Sequence, residues 1–68
     1  MNGDEFIRRA RKWARQRDVA FREDASRGKG GHRMVYVGDH LTTVKSGEIG
    51  KGLLHAMLKQ LAVPPDEF

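Results

Sequence analysis

The apolar residues of this chain change period twice, and that order of periods leaves few folds open. Phe6, Ile7, Ala10, Trp13 and Ala14 recur at helical spacing. They fall within one arc of about 120° on a helical wheel, which predicts an amphipathic helix over residues 4–17. Asp4 and Glu5 occupy its first turn, where the helix dipole favours negative charge. Val19–Glu23 then alternates apolar with polar and predicts a short strand. His32–Val37 and His40–Lys45 flank Gly38-Asp39, which predicts a tight hairpin of open turn type. With a two-residue loop, Val37 opposes His40, Val35 opposes Thr42, Arg33 opposes Val44 and His32 opposes Lys45. One hairpin face then carries the β-branched residues and meets the helices. The other presents His32, Met34 and Tyr36 beside Leu41, Thr43 and Lys45. Finally Leu53, Leu54, Met57, Leu58 and Leu61 form a helical apolar stripe opposite a cationic row of Lys51, His55 and Lys59. Pro64-Pro65 stops that helix by about Val63. The expected architecture is α+β: helix, three-stranded antiparallel sheet, helix. With so few strands, both helices cover one sheet face and leave the other open to water. The 68 residues make a single domain spanning 1–68, without repeats or a linker.

Charge narrows the choice of partners. Thirteen Lys+Arg against nine Asp+Glu give a net +4 and a sequence pI near 10.0. Ten of the thirteen basic residues lie between Arg8 and Arg33, and six fall in Arg8–Arg17 with no acid among them. Arg8, Arg9, Arg11, Lys12 and Arg15 all lie opposite the apolar arc of the first helix. Arg17 turns toward that arc at the helix end, where it can snorkel and meet the dipole. The cationic face reads as a solvated surface as readily as it reads as a phosphate-facing helix and an acidic-protein surface taken together. Asp24–Gly31 adds a basic, glycine-rich loop. Without cysteine there is no disulfide, thiolate metal site or Cys nucleophile. No apolar run approaches a membrane span and no signal-peptide pattern precedes the first helix, so a soluble, cytoplasmic chain is expected. A domain this small is a poor enclosure for a large cofactor, no small-molecule cofactor is expected, and a polyanion is the natural partner.

The three histidines differ in setting. His40 adjoins the hairpin turn and His55 sits on a polar helix face between lysines; both read as surface residues. Convergence of His32, His40 and His55 on zinc would need three separate elements without metal-ligand spacing, so no metal is expected. His32 follows Lys29-Gly30-Gly31, opens a strand on the uncovered face, and has Lys45 across from it. Composition alone favours an ordinary exposed histidine there, although an imidazole beside a cation also suits proton transfer at a phosphodiester.

Resemblance shifts that balance. Gly30-Gly31-His32-Arg33, then Val35, Thr42-Thr43-Val44, Gly47-Glu48-Ile49 and Gly52-Leu53-Leu54-His55-Ala56-Met57-Leu58-Lys59-Gln60 follow in an order that resembles the HicA family. These are small RNA-cleaving toxins encoded beside a HicB antitoxin, with a fold like a double-stranded-RNA-binding domain. The resemblance covers Gly30 to about Val63, and the first helix only in general character. It implies an endoribonuclease acting on mRNA, stress-linked and held by a HicB-type antitoxin, with His32 as the catalytic group. The chain departs from the family pattern at Gly31, where Ser or Asn is usual, at Lys45, where proline is common, and in a longer 24–29 loop. The implied mechanism is metal-independent, with no cofactor. The ribose 2′-OH attacks the adjacent phosphorus while His32 acts as general acid or base, histidine titrating near neutral pH. Lys29, Lys45 and Arg33 are candidates for phosphate contact, Arg33 being turned away from His32 by the register. Gly30 and Gly31 allow close backbone approach. Tyr36 reads as a base-stacking residue or a solvent-facing strand tyrosine. No second acid/base group is identifiable. The rival reading is a non-catalytic, basic RNA-binding module using the same surfaces.

Overall fold

The computed structural model describes residues 1–25 and 31–68. Its elements are α1 (Gly3–Gln16), β1 (Phe21–Asp24), β2 (Arg33–Val37), β3 (His40–Val44), α2 (Lys51–Leu61) and a 3₁₀ turn over Pro65–Glu67. The expected α+β order of helix, three strands and helix is the observed one.

Asn2 starts α1 by accepting the Glu5 amide on its side chain at 2.8 Å, satisfying one of the free N–H groups of the first turn. The helix buries Phe6, Ile7, Ala10 and Ala14 and half-buries Trp13. Its C-terminus differs from expectation. Asp18 takes a left-handed conformation (φ 57°), and the Val19 amide donates back to the Ala14 carbonyl at 2.8 Å. Val19 is thereby held by the helix end, and β1 begins at Phe21 rather than Val19.

The strands form one antiparallel sheet in the order β1-β2-β3. The β2–β3 register is the predicted one: Val37 faces His40, Val35 faces Thr42 and Arg33 faces Val44. Gly38 makes the turn possible with φ 59°. The ladder closes at Arg33–Val44, so His32 lies one residue outside β2. In β1–β2, Phe21 faces Val37, Arg22 faces Tyr36 and Glu23 faces Val35.

Burial separates the two sheet faces. Val35, Val37, Thr42 and Val44 are buried and share one core with Phe6, Ile7, Ala10 and Ala14 of α1 and Met57, Leu58 and Leu61 of α2. The Thr42 hydroxyl donates to Gln60 of α2, and Arg33 donates to Asp4 of α1. Both helices therefore lie on the face of Arg33, Val35 and Val37. Met34, Tyr36, Leu41 and Thr43 belong to the uncovered face.

In α2, the packed face is Leu54, Met57, Leu58 and Leu61. Leu53, expected in this stripe, is 50% exposed instead. It lies about 90° from the stripe's centre, and a single short helix turns only one narrow arc toward a sheet. Ala62 ends the helix in a left-handed conformation (φ 58°), with the Val63 amide on the Leu58 carbonyl at 2.9 Å, just ahead of Pro64.

Two contacts across the helix layer complete the core. Phe68 stacks at a tilt on the fully buried Phe6, ring centroids 5.1 Å apart. Glu67 accepts the Trp13 indole N–H at 3.2 Å and pairs with Arg17 at 2.6 Å. Arg17, expected to turn toward the apolar arc, lies over the Trp13 ring at 4.7 Å. Among the described residues, no helix is long and apolar enough to cross a membrane.

Candidate active site at the open end of the β2–β3 hairpin

His32 is placed by a backbone constraint on its neighbour. Gly31 has φ 90°, a region that side chains rarely tolerate. A Cβ built on Gly31 would lie 2.6 Å from the Ser46 hydroxyl. Gly31 and Ser46 thus approach each other beyond the last ladder pair, Arg33–Val44, which leaves His32 and Lys45 as the residues between that pair and this contact. Lys45, next after β3, also lines a cleft with Thr42, Ile49, Leu53, Met57 and Gln60, which His32 does not line. His32 is half-buried, while Lys45 and Ser46 are exposed.

The start of α1 closes this end of the molecule from the helix side. The Gly3 amide donates to the Gly47 carbonyl at 3.1 Å, Asn2 bridges Glu48, and the Ile49 amide donates to the Met1 carbonyl at 2.8 Å. A Cβ on Gly3 would collide with the Lys45 carbonyl. The 45–49 segment is therefore held against α1 by backbone bonds, which fixes the position of Lys45 relative to β2.

Arg33 and Tyr36 go elsewhere. The Arg33 guanidinium, three-quarters buried, donates to Asp4 of α1 and, at 3.1 Å, to Glu23 of β1. The hydrogen bond that Arg33 donates to Asp4 holds the guanidinium pKa above its ordinary value, with the charges of Asp4 and Glu23 adding and burial opposing. This guanidinium ties three elements together beneath the sheet, so it is spent on structure and turned away from His32. Tyr36 lies on the uncovered face of β2, four residues after His32 in sequence, with the Arg22 guanidinium 4.2 Å over its ring. Lys29 and Gly30, the remaining candidates, lie outside the described residues.

Cation pairing is uneven. Arg9 pairs with Glu5 at 3.0 Å, and Arg11 pairs with Glu23 at 3.4 Å while lying 5.4 Å over Phe21. Among the described residues, Arg8, Lys12 and Arg15 have no carboxylate partner, and with Arg11 they line a hollow of about 360 Å³. Sequence reasoning missed Arg22, because its place beside Tyr36 depends on the β1–β2 register across a loop. It also missed Ser46, whose only signal is its distance in sequence from the turn.

Comparison with protein-family models, with curated proteins and with solved structures found no match to this chain.

Proposed function

We propose that this chain is an RNA-cleaving toxin of the HicA type, acting in the cytoplasm on mRNA and silenced by an acidic HicB-type antitoxin. The observation that carries this reading is the position of His32. It follows a left-handed glycine at the open end of a hairpin, one residue beyond the closing Arg33–Val44 pair, after which Lys45 comes next on the other strand. A phosphodiester lying there would find a proton acceptor or donor and a fixed positive charge within one cluster.

The reaction needs no redox partner. The ribose 2′-OH gives up its proton, its oxygen bonds to phosphorus, and the bond from phosphorus to the 5′-oxygen breaks with a proton delivered to that oxygen. His32 performs one of these two proton transfers. Lys45 offsets the charge that builds on the non-bridging oxygens. A single histidine without an identified partner predicts modest turnover, which suits a toxin better than a digestive nuclease. Arg8, Lys12 and Arg15, without a carboxylate partner among the described residues, would meet an acidic partner surface, since complementary charge speeds and orients association.

The test is incubation of the purified chain and of His32→Ala with single-stranded RNA in EDTA. Cleavage by the parent and not by the variant is the expected result. Equal cleavage by both would reject His32, and cleavage of DNA would reject the 2′-OH as nucleophile. Binding by both without cleavage by either would make the chain a non-catalytic RNA-binding module.

A further inference from the structure

The uncovered sheet face carries a second feature, at the far end of β2 from His32. Arg22, Tyr36 and Leu41 are direct cross-strand neighbours in one row of the sheet. The Arg22 guanidinium lies 4.2 Å over the Tyr36 ring, and on the other side of Tyr36 the Leu41 side chain is 48% exposed. Arg22 has no carboxylate partner among the described residues. Beside this row a cleft of about 280 Å³ opens between Ala20, Phe21, Arg22, Tyr36 and Gly38. That is at or below the roughly 300–1,000 Å³ of sites that enclose whole small molecules, and it suits one planar ring.

A planar guanidinium on a phenol ring, flanked by an exposed leucine, offers stacking surface and outward N–H donors together. Bases of single-stranded RNA are held in this way, splayed onto aromatic rings and guanidinium planes. A phosphate is the poorer fit, because the row is mostly apolar and Asp39 stands on the adjoining turn. Along a strand, four residues from Tyr36 to His32 span about 13 Å, so a base held at Tyr36 belongs to a different nucleotide from the one at His32.

We propose that Arg22, Tyr36 and Leu41 form a reading site for one unpaired RNA base, which sets the scissile bond at a fixed offset from that base. The binding half stands on the geometry of this row; the offset rests on the cleavage reading given above.

The experiment measures binding of a short, fluorescein-labelled single-stranded RNA to the His32→Ala chain, so that cleavage does not interfere. Arg22→Ala and Tyr36→Ala should each weaken binding by about 5- to 150-fold, the range of a lost base stack, without changing its salt dependence. Tyr36→Phe should keep most of the affinity, which separates stacking from a folding defect, and circular dichroism checks the fold of each variant. Walking one abasic nucleotide along the RNA should cost affinity at a single position, and Tyr36→Ala should abolish that dependence. Unchanged binding by Tyr36→Ala overturns the reading site. In the chain with His32 intact, end-mapping of products should show a fixed offset that Tyr36→Ala blurs. Binding that needs Tyr36 but no cleavage at all would keep the reading site and overturn the nuclease. Cleavage at unchanged positions by Tyr36→Ala would do the reverse.

Discussion

Replacing Gly31 by alanine tests the geometry that places His32. Two costs arise together. At φ 90° a Cβ crowds the backbone, and such conformations cost on the order of 1–3 kcal/mol for a residue other than glycine. The added methyl would also stand 2.6 Å from the Ser46 hydroxyl and 3.3 Å from its Cβ. Ser46 is exposed, so its side chain can rotate away, and this second cost is the smaller. Gly31→Ala should therefore destabilise by about 1–3 kcal/mol, against a total of roughly 3–10 kcal/mol for a domain of this length. Urea unfolding followed by the fluorescence of Trp13, the single tryptophan, reads this directly. Adding Ser46→Gly should recover only the collision, a few tenths of a kcal/mol, and leave the backbone cost in place. A Gly31→Ala variant as stable as the parent would refute the left-handed conformation at 31 and the placement of His32 with it. Full rescue by Ser46→Gly would show that crowding, and not φ, is what demands glycine there.

Other expectations follow from the same contacts. Arg33→Met leaves the half-buried Glu23 without its strongest partner; after discounting for partial exposure it should cost about 1–2 kcal/mol, measured by urea unfolding. Phe68→Ala removes the ring stacked on Phe6 and should lower stability by about 1–2 kcal/mol, with a Tm several degrees lower by calorimetry. Thr42→Val should be nearly neutral, because it is close in shape and Gln60 is exposed enough to bond water. Changing Arg8, Lys12 and Arg15 together to Gln should reduce the slope of log affinity against log salt by about 2 if single-stranded RNA lies on α1, and by nothing if it lies only on the sheet.

The hairpin was legible because its information is local. Gly38-Asp39 fixes a two-residue connection, and once that is set the alternation of Val35, Val37, Thr42 and Val44 admits one register. The faces of both helices were legible for the same reason, except at the margin occupied by Leu53. What could not be read depends on contacts between segments distant in sequence. Nothing near Val19 announces that its amide folds back onto Ala14. The pairing of Arg22 with Tyr36 depends on how β1 meets β2 across the 25–32 stretch, whose length does not dictate register. Arg33 was seen to point away from His32, but its engagement by Asp4 and Glu23 required the helix to be docked. Of the candidate site, the Arg33–Val44 pair that closes the ladder beside His32 was legible as hairpin register. The role of Ser46 was not, since a serine beyond a strand end carries no pattern.

The two basic features of the surface lie on opposite sides of the sheet, and that limits what one ligand can do. Tyr36 and Arg22 belong to the uncovered face, and His32 follows it one residue beyond β2, whereas Arg8, Lys12 and Arg15 project from a helix that covers the other. The Cα framework is 17 Å across its thinnest axis. An RNA segment seated at His32 would have to wrap an edge of the domain to reach α1, giving up stacking to do so. On the proposed reading a short strand seated at His32 would engage the sheet alone and leave the α1 cations to a second polyanionic surface. In the proposed toxin, an acidic antitoxin could then grip α1 while RNA still occupied the sheet, unless the antitoxin also covers His32. Competition separates these arrangements: an antitoxin that grips α1 alone should bind with little loss in the presence of a short RNA, and one that covers both sides should be displaced by it. Displacement that persists after Arg8, Lys12 and Arg15 are neutralised would place the silencing contact on the sheet.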